Sequence, residues 1–465
     1  MIGASPTTRQ QYFFGLTLQE IAVSIALSML VGTGIFFFVS QTTGWAVFGL
    51  TFTAFVIFQI FFSSARVIVL PEFITAISCL NWVVMPWLSY LYPPSFRQFE
   101  MYIPMNDYMS YAVPCAISLW FGLHITLRHS GERSIFETRV LSVHDVRAVD
   151  LMILFSTLIF YFQRYLPHGI DFFYYILANF RYVGVFMLML SGVRGWWWRA
   201  AVVYITTLSA SAAGGVFYEF LMWFGYLVIC WSFLKRWRAK LLILLILAFL
   251  GTTELNTVKM EYRKVIATRT LTAVERLQVL GEMFYSHLTG NEEGRIRMER
   301  GDQIVRWNQG WIISRVLDYV PRNEPHAQGS TIVQATLSSL LPRAFFPTKI
   351  GAVSREFFEQ YTGLHLSYTT SMGLGVAAEC YVNFGRWYGI FAVFLYGIFI
   401  SRAFSIFSKR ARTNILWWAW LPFVMLSSLV AEWNLSDILN NIVKSYIVML
   451  LLLHSVPVLK KHFKR

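Results

Sequence analysis

The sequence predicts an all-α polytopic membrane protein with about twelve transmembrane helices and one large outer loop, and three observations carry this. The 465-residue chain is 56% hydrophobic and only 14% charged, where a soluble domain carries about 25% charge. Apolar runs near the ~20 residues needed to cross a bilayer recur along it. Its Lys and Arg alternate between dense and sparse segments in step with those runs.

The elements follow in order. Residues 1–17 lack the pattern of a cleaved signal peptide and read as a short cytoplasmic tail. Spans are expected near 18–40, 43–63, 67–92, 108–127, 148–166, 172–193, 199–214, 216–234, 240–257, 388–405, 414–432 and 438–457. The third holds Pro71 and Pro86, so a kink is expected there. With the N-terminus inside, the inner segments hold twenty Lys and Arg, while the short outer segments hold only Arg97 and Arg164. That asymmetry sets both termini in the cytoplasm. Trp196–Trp198 and Trp417–Trp418 suit the membrane interface. Three regions result: 1–257 with nine spans, 258–387 as a large outer loop domain, and 388–465 with three spans and a basic tail. The net charge of +14 tracks the membrane and so points to no nucleic acid. The four cysteines sit in apolar surroundings and read as small core residues, and no metal or cofactor is expected.

The loop domain carries the chemistry. Residues 258–290 read as one helix that Gly290 stops. Residues 306–322 (RWNQGWIISRVLDYVPR) read as another, ended by Pro321. Arg306, Asn308 and Gln309 crowd the start of this second helix, an arrangement suited to an anion, while the alternative is a helix lying on the membrane with a wet face. Next, LPRAFFPTK sets Arg343 and Lys349 around two prolines, with Arg355 close behind and Phe345 and Phe346 alongside. Three cations beside aromatic rings suit an anionic head group on a greasy tail, or an interfacial loop touching anionic lipids. His287, His326 and His365 also lie in the loop, and His365, just ahead of a polar stripe, is the preferred proton carrier.

That stripe is SMGLGVAAECYVNFGRWYG, residues 371–389. As a helix it sets Gly375, Glu379, Asn383 and Arg386 on one face. A carboxylate near lipid is costly and faces a cavity or a partner, so either a functional site or a helix-locking ion pair is expected. Arg181, in the sixth span, is another intramembrane charge within possible reach.

Taken together, the Arg306–NQG element, the LPR…P…K element and G-x-G-x-x-x-E-x-Y-x-N-F-G (373–385) resemble bacterial oligosaccharide repeat-unit polymerases, the Wzy-type O-antigen and exopolysaccharide polymerases. The resemblance covers roughly residues 306–389. It implies a membrane glycosyltransferase fold (GT-C-like, O-antigen ligase-like) in the bacterial inner membrane. It also implies transfer of a growing undecaprenyl-pyrophosphate-linked glycan onto a new lipid-linked repeat unit at the outer face. On that basis Arg306, Arg343, Lys349 and Arg355 are expected near pyrophosphate. Glu379 or His365 would act as base, with Arg343 also counted among the catalytic groups. Asn308, Gln309, Asn383 and Arg386 would position substrate. Membrane lipids and a chain-length regulator are the other expected partners. The rivals are an O-antigen ligase, a polyprenyl-phosphate-sugar glycosyltransferase, a lipid-linked oligosaccharide flippase and a non-enzymatic scaffold.

Overall fold

The computed structural model describes residues 16–64, 69–125, 141–165, 171–215, 217–236, 238–269, 271–289, 300–305, 307–340, 355–366, 372–411, 414, 416–430 and 433–455. Among them the chain forms helices and no β-strand. A helix stands at each position marked by hydropathy: α1 (Leu18–Phe38), α2 (Gly44–Ser63), α3 and α4 (Leu70–Cys79 and Met85–Leu91), α5 (Met105–Ile125), α6 (Val143–Phe162), α7 (Asp171–Leu190), α8 (Trp196–Gly214), α9 (Tyr218–Lys235), α10 (Arg238–Thr268), α16 (Val376–Ala411), α17 (Leu416–Met425) and α18 (Leu435–Ser455). Seven helical stretches among the described residues are long and apolar enough to cross a membrane: α1, α2, Leu70–Leu91, Phe173–Leu190, Ala239–Lys259, α16 and Leu435–His454.

Local chemistry explains where the helices start and bend. Thr17 and Glu20 form a capping box at α1, and Ser142 and Asp145 form one at α6. The expected kink in the third span is a π-helical turn, Leu80–Val84, between α3 and α4. Pro86 has no N–H to give to the carbonyl of Trp82, four residues earlier. That carbonyl instead accepts the Tyr108 hydroxyl at 2.8 Å, which ties the bend to α5. α16 packs along α5. Their backbones approach closely at two glycines: a Cβ on Gly122 would lie 2.9 Å from the Gly397 Cα.

The loop domain adds α11 (Ala273–Thr289), α12 (Arg300–Val305), α13 (Gly310–Tyr319), α14 (Ser330–Leu340) and α15 (Arg355–Thr362). The single helix expected over 258–290 is two. α10 runs on to Thr268, and a third capping box, Thr272 with Glu275, opens α11. This hairpin is held on the C-terminal end of α8. Tyr262 donates to Ala212 O (2.6 Å), Arg263 to Gly215 O (3.0 Å) and Arg276 to Ala213 O. Two guanidiniums thus meet the carbonyl-rich, negative end of a helix.

α13 is buried rather than wet. Trp311, Ile312, Ile313 and Val316 are core residues, and Ser314 accepts the backbone N–H groups of Tyr102 and Ile103. Its Arg315 donates to Thr362 O at the end of α15 (2.6 Å). α13 and α15 therefore pack together against residues 102–103 and α4, at the end of the bundle where α4 ends and α5 begins.

Candidate functional site at the break in α16

The polar stripe enters α16 at Val376, just past Gly375 at φ +78°, and the helix is interrupted at Gly385 before it resumes. Gly385 adopts φ +70° and ψ −163°, a conformation essentially reserved for glycine, inside α16. The break puts Arg386 out of register with Glu379 and Asn383, so the expected single face divides. Glu379 and Asn383 turn toward α14 and α18, whereas Arg386 turns to α5, donating to Ser110 Oγ (2.6 Å) and Asp107 O (3.2 Å).

Glu379 is 2% exposed and joins two helix starts. Its Oε2 accepts the first N–H of α18, from Leu435, at 2.8 Å, and its Oε1 lies 3.5 Å from the Thr331 hydroxyl in the first turn of α14. A carboxylate at a helix N-terminus is favoured by both hydrogen bonding and the helix dipole. Asn383, also buried, donates to Thr331 Oγ1 (2.7 Å) and to the Glu379 carbonyl (2.8 Å), leaving its Oδ1 without a partner. The approach to α16 is clamped from both sides: Leu374 N–H donates to Asn434 Oδ1 (2.9 Å), and Gln309 donates to Leu374 O (3.2 Å).

The histidine brought to this break is His326. Its Nδ1 lies 3.3 Å from the Val382 carbonyl, which also accepts the Ala327 N–H at 2.9 Å. Its ring stands edge-on to Tyr381, with centroids 5.6 Å apart. Its Nε2 is 3.5 Å from where a Gly385 Cβ would sit, so the ring edge lies against the break. Gln328 and Gly329, both at positive φ, then turn the chain into α14. One tight turn therefore brings His326 to the Val382 carbonyl and Thr331 to the Asn383 side chain.

The remaining expected site residues are placed as follows. Arg306, Arg343 and Lys349 lie outside the described residues. Arg355 and His365 share Glu359, each at 3.4 Å. His365 is 92% exposed, and its recorded partner is that carboxylate rather than Glu379. The Leu366 N–H, ahead of His365 and Arg355 in effect, holds the Glu359 carboxyl below its usual range. Asn308 is buried against Met101 Sδ (3.7 Å), and Gln309 is the N-cap residue of α13 with its amide turned inward. Both amides thus pack inward at the start of α13, with Asn308 Oδ1 left without a partner. Arg181 pairs with Glu219 (3.0 Å) beneath the Phe160 ring rather than with Glu379.

Sequence reasoning missed Thr331, and it weighed His326 only as one of three loop histidines. The signal for His326 was the Gln328–Gly329 turn two residues on, which marks a sharp reversal beside it. Comparison with models of known families, with curated proteins and with solved structures finds no match to this chain.

Proposed function

We propose that this chain is a polyprenyl-pyrophosphate-dependent glycan polymerase of the bacterial inner membrane. On this reading it has twelve spans, cytoplasmic termini and the loop domain outside. It transfers a growing undecaprenyl-pyrophosphate-linked glycan onto a new lipid-linked repeat unit, within a GT-C-like, O-antigen ligase-like fold. The observation that supports it best is the junction at the α16 break. A buried carboxylate, a buried amide, an imidazole and a guanidinium gather there, within the same stretch that carries the family resemblance. Glycosyl transfer from a pyrophosphate needs cations for the leaving charge and a proton acceptor for the attacking hydroxyl. Arg386 lies beside the break. Arg306, Arg343, Lys349 and Arg355 are the further cations this reading assigns to pyrophosphate.

The test is a gel of surface glycan from cells lacking the gene. A ladder collapsed to single-repeat species is the expected result. Loss of all attached glycan, with long lipid-linked polymer accumulating, would instead mean a ligase. An unchanged ladder would remove the proposal.

A further inference from the structure

We infer that His326, through its Nε2, accepts the proton of the attacking hydroxyl; this rests on the polymerase reading above. A carbonyl oxygen only accepts, so the contact of Nδ1 with Val382 O requires the hydrogen on Nδ1. The neutral ring then carries its lone pair on Nε2, the state a general base needs. The tautomer is fixed by main chain, and the main chain is fixed in turn: the same carbonyl holds the Ala327 N–H, and the following turn anchors Thr331 to Asn383. Nε2 faces Gly385, where a side chain is absent and the helix is broken. His326 is only partly buried, which leaves the residue open to approach.

The alternatives fit the role less well. Glu379 is sealed at 2% exposure, with Oε2 held by the Leu435 N–H. His365 is 92% exposed and held only beside Glu359. Such a ring is oriented by no buried partner, whereas proton transfer in the transition state needs a positioned one.

The hydroxyl oxygen of the incoming repeat unit attacks the anomeric carbon of the donor glycan. The bond from that carbon to the pyrophosphate oxygen breaks, and its electron pair leaves with the lipid pyrophosphate. The hydroxyl proton passes to Nε2, and the imidazolium returns it to water.

The experiment uses the full chain purified in detergent and single-repeat lipid-linked oligosaccharide extracted from cells lacking the gene. Asparagine keeps an N–H where Nδ1 was and removes Nε2. His326→Asn is expected to fold normally, keep its KM and lose about 100-fold or more in kcat. Added imidazole is expected to restore part of the lost rate in His326→Ala. A His326→Asn protein that is stably folded and polymerises at the wild-type rate overturns the inference. So does loss of activity in His365→Asn together with full activity in His326→Asn. Wild-type protein that makes no polymer from these units removes the polymerase reading itself, and the inference with it.

Discussion

At the scale of single residues, Glu379 is the group whose environment differs most from what its neighbours in sequence suggest. Its spacing from Asn383 was readable, but its partners come from α14 and α18, 48 and 56 residues away. Glu379→Ala would leave the Leu435 N–H and the Thr331 hydroxyl without their acceptor. We expect a loss of about 1–3 kcal/mol, the usual cost of stranding a buried donor. Glu379→Gln should lose less, because an amide oxygen still accepts from Leu435. Thermal unfolding in detergent distinguishes these, and equal melting temperatures for wild type and Glu379→Ala would contradict a stabilising role for Glu379 between α14 and α18. Glu359 gives a pH prediction. Its folded pKa lies below the usual 4.5, so its contribution is present above that value and is lost as pH falls through the lower, folded one. Protection of the Leu366 amide, corrected for free exchange, should fade on acidification and be absent in Glu359→Gln. Protection that stays level in wild type through this range would refute it.

Among elements, α16 shows where sequence reading succeeded and where it failed. Composition identified a helix leading into a span. It did not reveal that Gly385 interrupts it, because an isolated glycine within a helical pattern is tolerated at modest cost and does not by itself mark a break. The break follows from tertiary contact: the loop at His326 and Ala327 takes the Val382 carbonyl that an unbroken helix would use internally. The α10–α11 boundary, by contrast, was written locally as T-x-x-E at Thr272–Glu275, although apolar spacing on both sides disguised it. The pairing of α16 with α5 rests on Gly122 and Gly397, where an added Cβ meets opposing backbone that cannot move aside. Gly122→Val and Gly397→Val should each destabilise the protein by roughly 1–3 kcal/mol through overpacking. Gly34→Val, at an open position on α1, should shift the midpoint little. Similar unfolding midpoints for all three would argue against a glycine-dependent crossing.

For the whole molecule, the charge asymmetry makes a prediction about sidedness. Single cysteines introduced at Ser95 and Asn323 should react with a membrane-impermeant thiol reagent in intact spheroplasts. A cysteine at the exposed Lys409 should react only after permeabilisation. Labelling of all three before permeabilisation would reject the proposed topology. The native thiols offer little background, since Cys79, Cys115, Cys230 and Cys380 are all buried.

Sequence alone determined that this is an all-helical protein built for a membrane, and placed a helix at each apolar run. The reason is that hydropathy and helix-start chemistry act over a few residues, and a bilayer leaves a polar backbone little choice but to hydrogen-bond within its own helix. It also marked 371–389 as a polar stripe in an otherwise apolar chain, since charge is rare there. Only the tertiary structure decided what those charges meet. It set Glu379 between the starts of α14 and α18, sent Arg386 to α5, paired Arg181 with Glu219, and brought His326 rather than His365 to the break. Each of these joins groups that are 38 to 276 residues apart in the chain. Such pairings are chosen by how whole helices pack and where the backbone gives way at Gly385, which no local spacing encodes.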